Sequence, residues 1–336
     1  MSALRAIACG TALGLLACGR SGHLPTLRGA GASLPFPLLS RWVEAYPGAR
    51  VDYQSVGSGG ALRQLEIGAL DFGATDVAMT DAELARATAP TIHVPLALGA
   101  VAVAANLSRE RLALRRRTLG RIWLGEITRW DDPEIAADNP GAGLPGLPIV
   151  LVHRSDGSGT TKIFTTYLSI VSPSWAERVG SGASARWPAG IGAKGTEGVA
   201  GVLGQTQGAL GYLEVGVARK AGLTTVALEN RAGQLVEPSV RGLIAATEHS
   251  ELPGDLRGSL VDCAGAETYP LATYVFALVP LRAGEGHKSR AVAGFLRWSI
   301  HDGRGLAGEV GFAPLPEAQI TRVDAALARV DREASP

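Results

Sequence analysis

Cysteine is scarce in this chain: of 336 residues only Cys9, Cys18 and Cys263 carry a thiol. A chain trimmed at Cys18 would keep two of them, too few for an internal disulfide framework, and Cys263 reads as a small buried hydrophobe. An excess of one charge is missing too. Lys plus Arg number 32 against 31 for Asp plus Glu, a net charge of +1, so no general positive field exists to hold a polyanion and nucleic acid is not an expected partner. The longest continuous apolar run, Val94 to Ala105, is well short of the ~20 residues that span a bilayer and fits a buried strand. His93, His153 and His301 are scattered, with no His-x-x-x-His or Cys/His grouping, so no metal site and no cofactor are expected. The absence of a fixed short repeat argues against solenoids and propellers.

The chain does have length, glycine and a patterned N-terminus. A chain of 336 residues suits two domains, because single cores stop growing at roughly 250–300 residues. Glycine stands at 44, about twice the usual ~7%, and clusters in turns. The opening "MSALRAIACGTALGLLACGRS" has one early positive charge, Arg5, then an apolar run to Ala17 that ends in Leu15-Leu16-Ala17-Cys18. This is the pattern of an export signal over residues 1–18, and the last four residues resemble a bacterial lipoprotein processing box with Cys18 as the lipidated first residue of the mature chain. Cleavage as a soluble secreted protein is the plainer alternative.

Beyond residue 25 the pattern alternates strand and helix. "RVDYQSVGSGGALRQLEIGALDFGATD" gives a β-type run, a glycine turn, an apolar-periodic segment and a second β-type run ending at Asp76. "LPIVLVHRSDGSGTTKIFTTYLSIV" repeats the arrangement with Ile163, Phe164, Tyr167 and Leu168 on one helix side. Two such βα units predict an α/β fold of two lobes, each a mixed or parallel sheet flanked by helices, with binding groups gathered at the carboxyl ends of strands. The Gly/Ala/Pro-rich stretch 179–201 is the most loop-like part of the second lobe.

Three glycine-hydroxyl turns open helices: Ser33 and Leu34 ahead of Pro35, Ser58 in "VGSGG", and Ser158-Gly159-Thr160 in "RSDGSGTTK". The start of a helix offers unsatisfied N–H groups and a partial positive charge, so each turn could hold an anion, or each serine could be an ordinary cap. Arg154 and Asp156 stand just ahead of the third turn. Neighbouring motifs fail: "GAGASL" lacks the third glycine of a dinucleotide fingerprint, Lys162 follows the threonines instead of preceding them as in a P-loop, and neither Ser58 nor Ser158 sits in Gly-x-Ser-x-Gly. Enzyme readings therefore start weak.

The runs "GAGASLPFPL", "VDYQSVGSGGALRQL", "DFGATD", "LGEITRWDDPEI", "VHRSDGSGTTKIFTTYLS", "WPAGIGAKGTEGVAG", "GALGYLE" and "FLRWSIHDGRGLAGEVGFAPLP" together resemble the periplasmic phosphate-binding proteins of bacterial phosphate ABC importers. The resemblance spans roughly residues 29 to 316. It implies lobe I from 26–96 plus 270–336, lobe II from 97–269, and phosphate held dry in the cleft between them. By motif position the ligand contacts are Ser33, Leu34, Ser58 and Asp76 from the first lobe and Arg154, Ser158, Gly159 and Thr160 from the second, with Asp156 orienting the arginine. It also implies a monomer outside the cytoplasmic membrane that binds inorganic phosphate, catalyses nothing, and meets the membrane permease subunits of an importer. The chain departs from the family's common pattern at Leu34, often Phe, and at Thr75, often Ser; Leu34 matters little if its backbone N–H is the contact.

The residue chemistry points the same way. A buried dianion must be met by donors, and one guanidinium, several hydroxyls and helix-start N–H groups could supply them. Asp76 would repel an anion unless the ligand brings a proton; phosphate at neutral pH does and sulfate does not. The alternatives are a binder of another tetrahedral oxyanion, which would be open to competition by sulfate, and a phosphatase-like hydrolase on the same scaffold, which would cleave a chromogenic phosphate ester. Arg115 to Arg117 form the one basic cluster and read as a solvated face or, alternatively, an importer contact. Trp123 and Trp130 read as core.

Overall fold

The computed structural model describes residues 24–108, 111–282, 284 and 286–333. The expected processing site at Cys18 lies outside them. Twelve strands are present among the described residues: β1 (Thr26–Gly31), β2 (Arg50–Ser55), β3 (Phe72–Thr75), β4 (Thr91–Ala105), β5 (Leu112–Leu114), β6 (Val150–Arg154), β7 (Ile191–Ala193), β8 (Ala209–Glu214), β9 (Thr224–Glu229), β10 (Leu235–Val236), β11 (Ala272–Pro280) and β12 (Ala313–Pro314). They run in the order β2-β1-β3-β11-β4-β8-β6-β7, with β12 and β9 also on β4, and β5 and β10 on β9.

The β4 strand organises this curled mixed sheet. Its residues 91–100 pair antiparallel with β11, and its residues 101–105 pair antiparallel with β8. On one side β11 leads through β3 to the parallel β1 and β2; on the other β8 leads to the parallel β6 and β7. Every residue of β4 from His93 onward is buried, as is all of β11. Strands covered on both faces read as continuous apolar runs, which is why the stretch from Val94 stands out. The chain thus leaves the first group of strands through β4 and rejoins it through β11.

Helices cover both faces. The helix Phe36–Ala45 turns Leu38, Leu39 and Trp42 inward, at the spacing of an amphipathic stripe. In the second half, the helix Gly159–Val171 lies against an aromatic cluster in which the Phe164 and Tyr212 rings stack at 4.5 Å and Trp123 meets Phe164 at 4.8 Å. Trp123 and Trp130 are fully buried. The stretch 179–201 is less loop-like than its glycines suggest, since it contains β7 and the first seven residues of the helix Gly195–Gln205. Cys263 is only half-buried.

The basic cluster is neutralised within the fold. Arg115 pairs with Glu229 at 2.8 Å and Asp138 at 3.5 Å, Arg116 with Asp262 at 2.5 Å, and Arg117 reaches Glu134 at 3.9 Å. Among the described residues no helix is long and apolar enough to cross a membrane.

Candidate anion site

Strand ends place the first set of groups. The chain leaves β1 and turns at Ser33, where Pro35, not a hydroxyl, occupies the N-cap of the next helix. The Ser33 side chain is therefore free to face across the molecule, and its Oγ lies 2.9 Å from Thr196 Oγ1 while accepting the Thr196 backbone N–H at 3.2 Å. Leu34 is fully buried, with its side chain over Gly99 of β4: a Cβ at Gly99 would sit 3.2 Å from Leu34 Cδ2. Ser58 opens the helix Ser58–Glu66 after β2. Its hydroxyl donates to Asp76 Oδ1 at 3.2 Å and accepts the Gly159 N–H at 3.1 Å.

Asp76 follows β3 directly and is wholly buried. Its backbone carbonyl accepts the Thr273 hydroxyl from β11 at 2.5 Å, which fixes the residue at the carboxyl end of β3. The carboxylate receives Ser58 on Oδ1 and Thr160 Oγ1 on Oδ2 at 2.8 Å. Burial pushes this carboxyl above the ordinary aspartate range, although the Thr160 hydroxyl and the Arg154 charge pull it back.

The second set starts from β6, whose last residue is Arg154. The Arg154 backbone N–H donates to the Tyr212 hydroxyl at 3.1 Å, and that hydroxyl also bonds Thr161 Oγ1 at 2.8 Å. Tyr212 on β8 is stacked on Phe164 and Trp187, so an aromatic wall sets the height of the arginine. The guanidinium lies on Asp156 in a two-point pair, Nε to Oδ1 at 2.7 Å and Nη2 to Oδ2 at 2.5 Å. Asp156 Oδ1 also accepts the Gly195 N–H at 3.1 Å. Burial alone would raise the Asp156 carboxyl, but the hydrogen bond and charge of Arg154 outweigh it and the pKa lies below the ordinary value. With its Nε and Nη2 edge on Asp156, the Arg154 side chain, 2% exposed, keeps its Nη1 edge for another partner.

Ser158 is the N-cap of the helix Gly159–Val171, where its hydroxyl accepts the Thr161 N–H at 3.3 Å. Of the three glycine-hydroxyl turns, only this one uses its serine as a cap. Gly57 has φ +78°, and a Cβ there would lie 2.8 Å from Asp156 Oδ2; both the left-handed backbone and the close approach of the ion pair require glycine. The backbone Gly59 N–H reaches the Gly157 carbonyl at 3.3 Å, so the turns meet directly.

The structure therefore brings Ser33, Leu34, Ser58, Asp76, Arg154, Asp156, Ser158, Gly159 and Thr160 to one interior point where the β3 and β6 ends face each other. Three further residues join them that the sequence did not single out: Thr196, Tyr212 and Gly195. The arrangement combines one cation, two carboxylates of which Asp156 is paired with that cation, and donors from hydroxyls and helix-start amides in a dry setting, which suits a small oxyanion that can itself donate one hydrogen bond to Asp76. Among the described residues no group of three or more His, Cys, Asp or Glu is placed to hold a metal.

The sequence matches the family described as the PBP superfamily domain over residues 19–302. It is 38% identical to the phosphate-binding protein PstS of Pasteurella multocida, covering 89% of each chain, and 36% identical to PstS of Xylella fastidiosa, covering 89% of this chain and 84% of the relative. Among solved structures, a high-affinity periplasmic phosphate-binding protein (PfluDING) bound with phosphate aligns with a TM-score of 0.73 at 20% identity, covering 89% of this chain and 93% of the other. The phosphate-binding protein of Stenotrophomonas maltophilia aligns at 0.69 and 17%, with coverage of 90% and 93%. The chain has the two-lobed architecture of these proteins, and it belongs to the PBP superfamily, among the phosphate-binding proteins of the PstS type.

Proposed function

We propose that the protein binds inorganic phosphate outside the cytoplasmic membrane and hands it to the membrane subunits of an ABC importer. The observation that carries this reading is that buried Arg154 and buried Asp76 converge from the two halves of the site, near enough for the arginine's charge to pull the carboxyl's pKa down. Phosphate would sit between them, taking Nη donors of Arg154, the hydroxyls of Ser33 and Ser158 and the backbone N–H of Leu34; the hydroxyls of Ser58 and Thr160 and the Gly159 N–H, which bond Asp76 and Ser58 in this structure, would turn to the ligand as it enters. It would give its own proton to Asp76. Asp156 would hold the guanidinium in place. The halves would be lobe I, 26–96 plus 270–336, and lobe II, 97–269, closing by a hinge at the β4 and β11 crossings. The names of the Pasteurella and Xylella relatives support this ligand.

A carrier fits better than a hydrolase. The hydroxyls of Ser33, Ser58 and Ser158 engage Thr196, Asp76 with Gly159, and the Thr161 amide; among the described residues no histidine is hydrogen-bonded to them as a base. Lipidation at Cys18 would keep a monomeric carrier on the membrane's outer face. Titration calorimetry on the purified protein tests the reading. Phosphate should bind at one site per chain with heat that saturates, and sulfate should give none at the same concentrations. Equal binding of sulfate would turn the protein into a general oxyanion carrier, and turnover of a chromogenic phosphate ester would make it a hydrolase.

A further inference from the structure

We infer that Thr196 is a positioning residue that aims the Ser33 hydroxyl at the ligand and latches the closed form. The inference rests on the phosphate-binding reading above. Thr196 is 1% exposed and stands at the second position of the helix Gly195–Gln205. Its partner Ser33 lies 163 residues away, in what would be the other lobe. The two contacts between them have different consequences. The Thr196 backbone N–H donates to Ser33 Oγ at 3.2 Å and so fills one acceptor position. The hydroxyl pair at 2.9 Å can run in either direction.

An oxyanion decides that direction. A serine hydroxyl has one hydrogen and two acceptor positions. If Ser33 gave its hydrogen to Thr196, a lone pair would face the anion, which is repulsive. When Thr196 Oγ1–H donates instead, both acceptor positions of Ser33 are occupied from the far side, and its single hydrogen is left for the ligand. Thr196 touches no ligand in this scheme; it sets the orientation of a group that does. If the proposed lobes part when the ligand leaves, the contact lasts only while they are closed, so its loss should fall on ligand release and not on ligand entry.

The adjacent residue strengthens the placement. The Gly195 N–H holds Asp156 Oδ1 at 3.1 Å, so one helix start fixes both the carboxylate behind Arg154 and the hydroxyl of Ser33. These are the first two amides of that helix, which its own N-cap Lys194 leaves without a side-chain cap bond.

Thr196→Val keeps the shape and the backbone N–H but removes the hydroxyl, and Thr196→Ser keeps the hydroxyl. Radiolabelled phosphate is bound to each protein and chased with unlabelled phosphate, and unfolding temperature is measured without phosphate. Loss of one neutral buried hydrogen bond predicts dissociation roughly fivefold faster in Thr196→Val. Association should change less than twofold, Thr196→Ser should behave as wild type, and the ligand-free unfolding temperature should be unchanged in both. Wild-type release from Thr196→Val overturns the inference, as does a fall in ligand-free stability that tracks the faster release. Wild-type protein that binds no phosphate overturns the reading beneath it, an outcome seen before any variant is made.

Discussion

Arg154→Ala should lower phosphate affinity by a hundredfold or more. The guanidinium is the one cation at the site's centre; its side chain is 2% exposed, and one edge is committed to Asp156. Truncating one partner of a buried, hydrogen-bonded charge pair costs about 2–5 kcal/mol, and the lower end of that range is already about thirtyfold. Here the loss is compounded, because Asp156 stays behind without its counter-ion and faces the incoming anion. Asp156 keeps only the Gly195 amide as a partner. Arg154→Lys should recover part of the loss, since a point charge returns but the two-point geometry does not. Titration calorimetry decides the matter, and affinity within threefold of wild type in Arg154→Ala would remove this residue from the site.

Gly159→Ala should cost as much by a different route. A Cβ at this position would lie 1.6 Å from Asp76 Oδ1, 2.6 Å from Asp76 Cγ and 3.0 Å from Ser58 Oγ. Asp76 cannot swing away, because Ser58 and Thr160 grip both carboxylate oxygens and Thr273 grips its carbonyl. The remaining relief is for the two halves of the site to stay apart, which breaks the contacts that enclose an anion. At the same time Gly159 is the first residue of a 13-residue helix, where alanine is the better helix former by up to ~1 kcal/mol. The ligand-free protein should therefore unfold at or slightly above the wild-type temperature while phosphate affinity falls at least a hundredfold. A variant that binds phosphate like wild type would mean that the turn at 159 does not close onto Asp76 when ligand is held.

The sequence carried the local parts of this architecture and not the long-range ones. The βα order around Asp76 and Arg154 is legible because turn glycines and apolar periodicity are local signals. The apolar run from Val94 announces a buried strand, but only pairing shows that β4 belongs to β11 along residues 91–100 and to β8 along residues 101–105. The pairing of Arg154 with Asp156, two residues on in one motif, was implied by the resemblance and not by the spacing alone. Thr196 is different. It sits in a glycine-rich stretch that looks like loop, and its meaning comes from a hydroxyl 163 residues earlier. The pattern of glycine followed by threonine at a helix start, "KGTEG", parallels "SGTTK" and is the signal that could have exposed it. Tyr212 was hidden for the same reason, since its hydroxyl meets Arg154 58 residues away. The serines of the three turns were indistinguishable in sequence, yet Ser158 caps its helix while Ser33 and Ser58 reach across the molecule.

The claim that most depends on the whole arrangement is that Asp76 reads the proton on the ligand. The most direct measurement is the ratio of phosphate to sulfate affinity in Asp76→Asn against wild type, at one pH and one ionic strength. The substitution keeps the planar shape, removes the charge and adds an N–H donor. Phosphate loses a charge-assisted hydrogen bond, worth about 1.5–3 kcal/mol, while sulfate is relieved of facing a carboxylate with no hydrogen between them. The account predicts that the ratio shrinks by about tenfold or more. A ratio that stays the same, or a phosphate preference that grows, would contradict it.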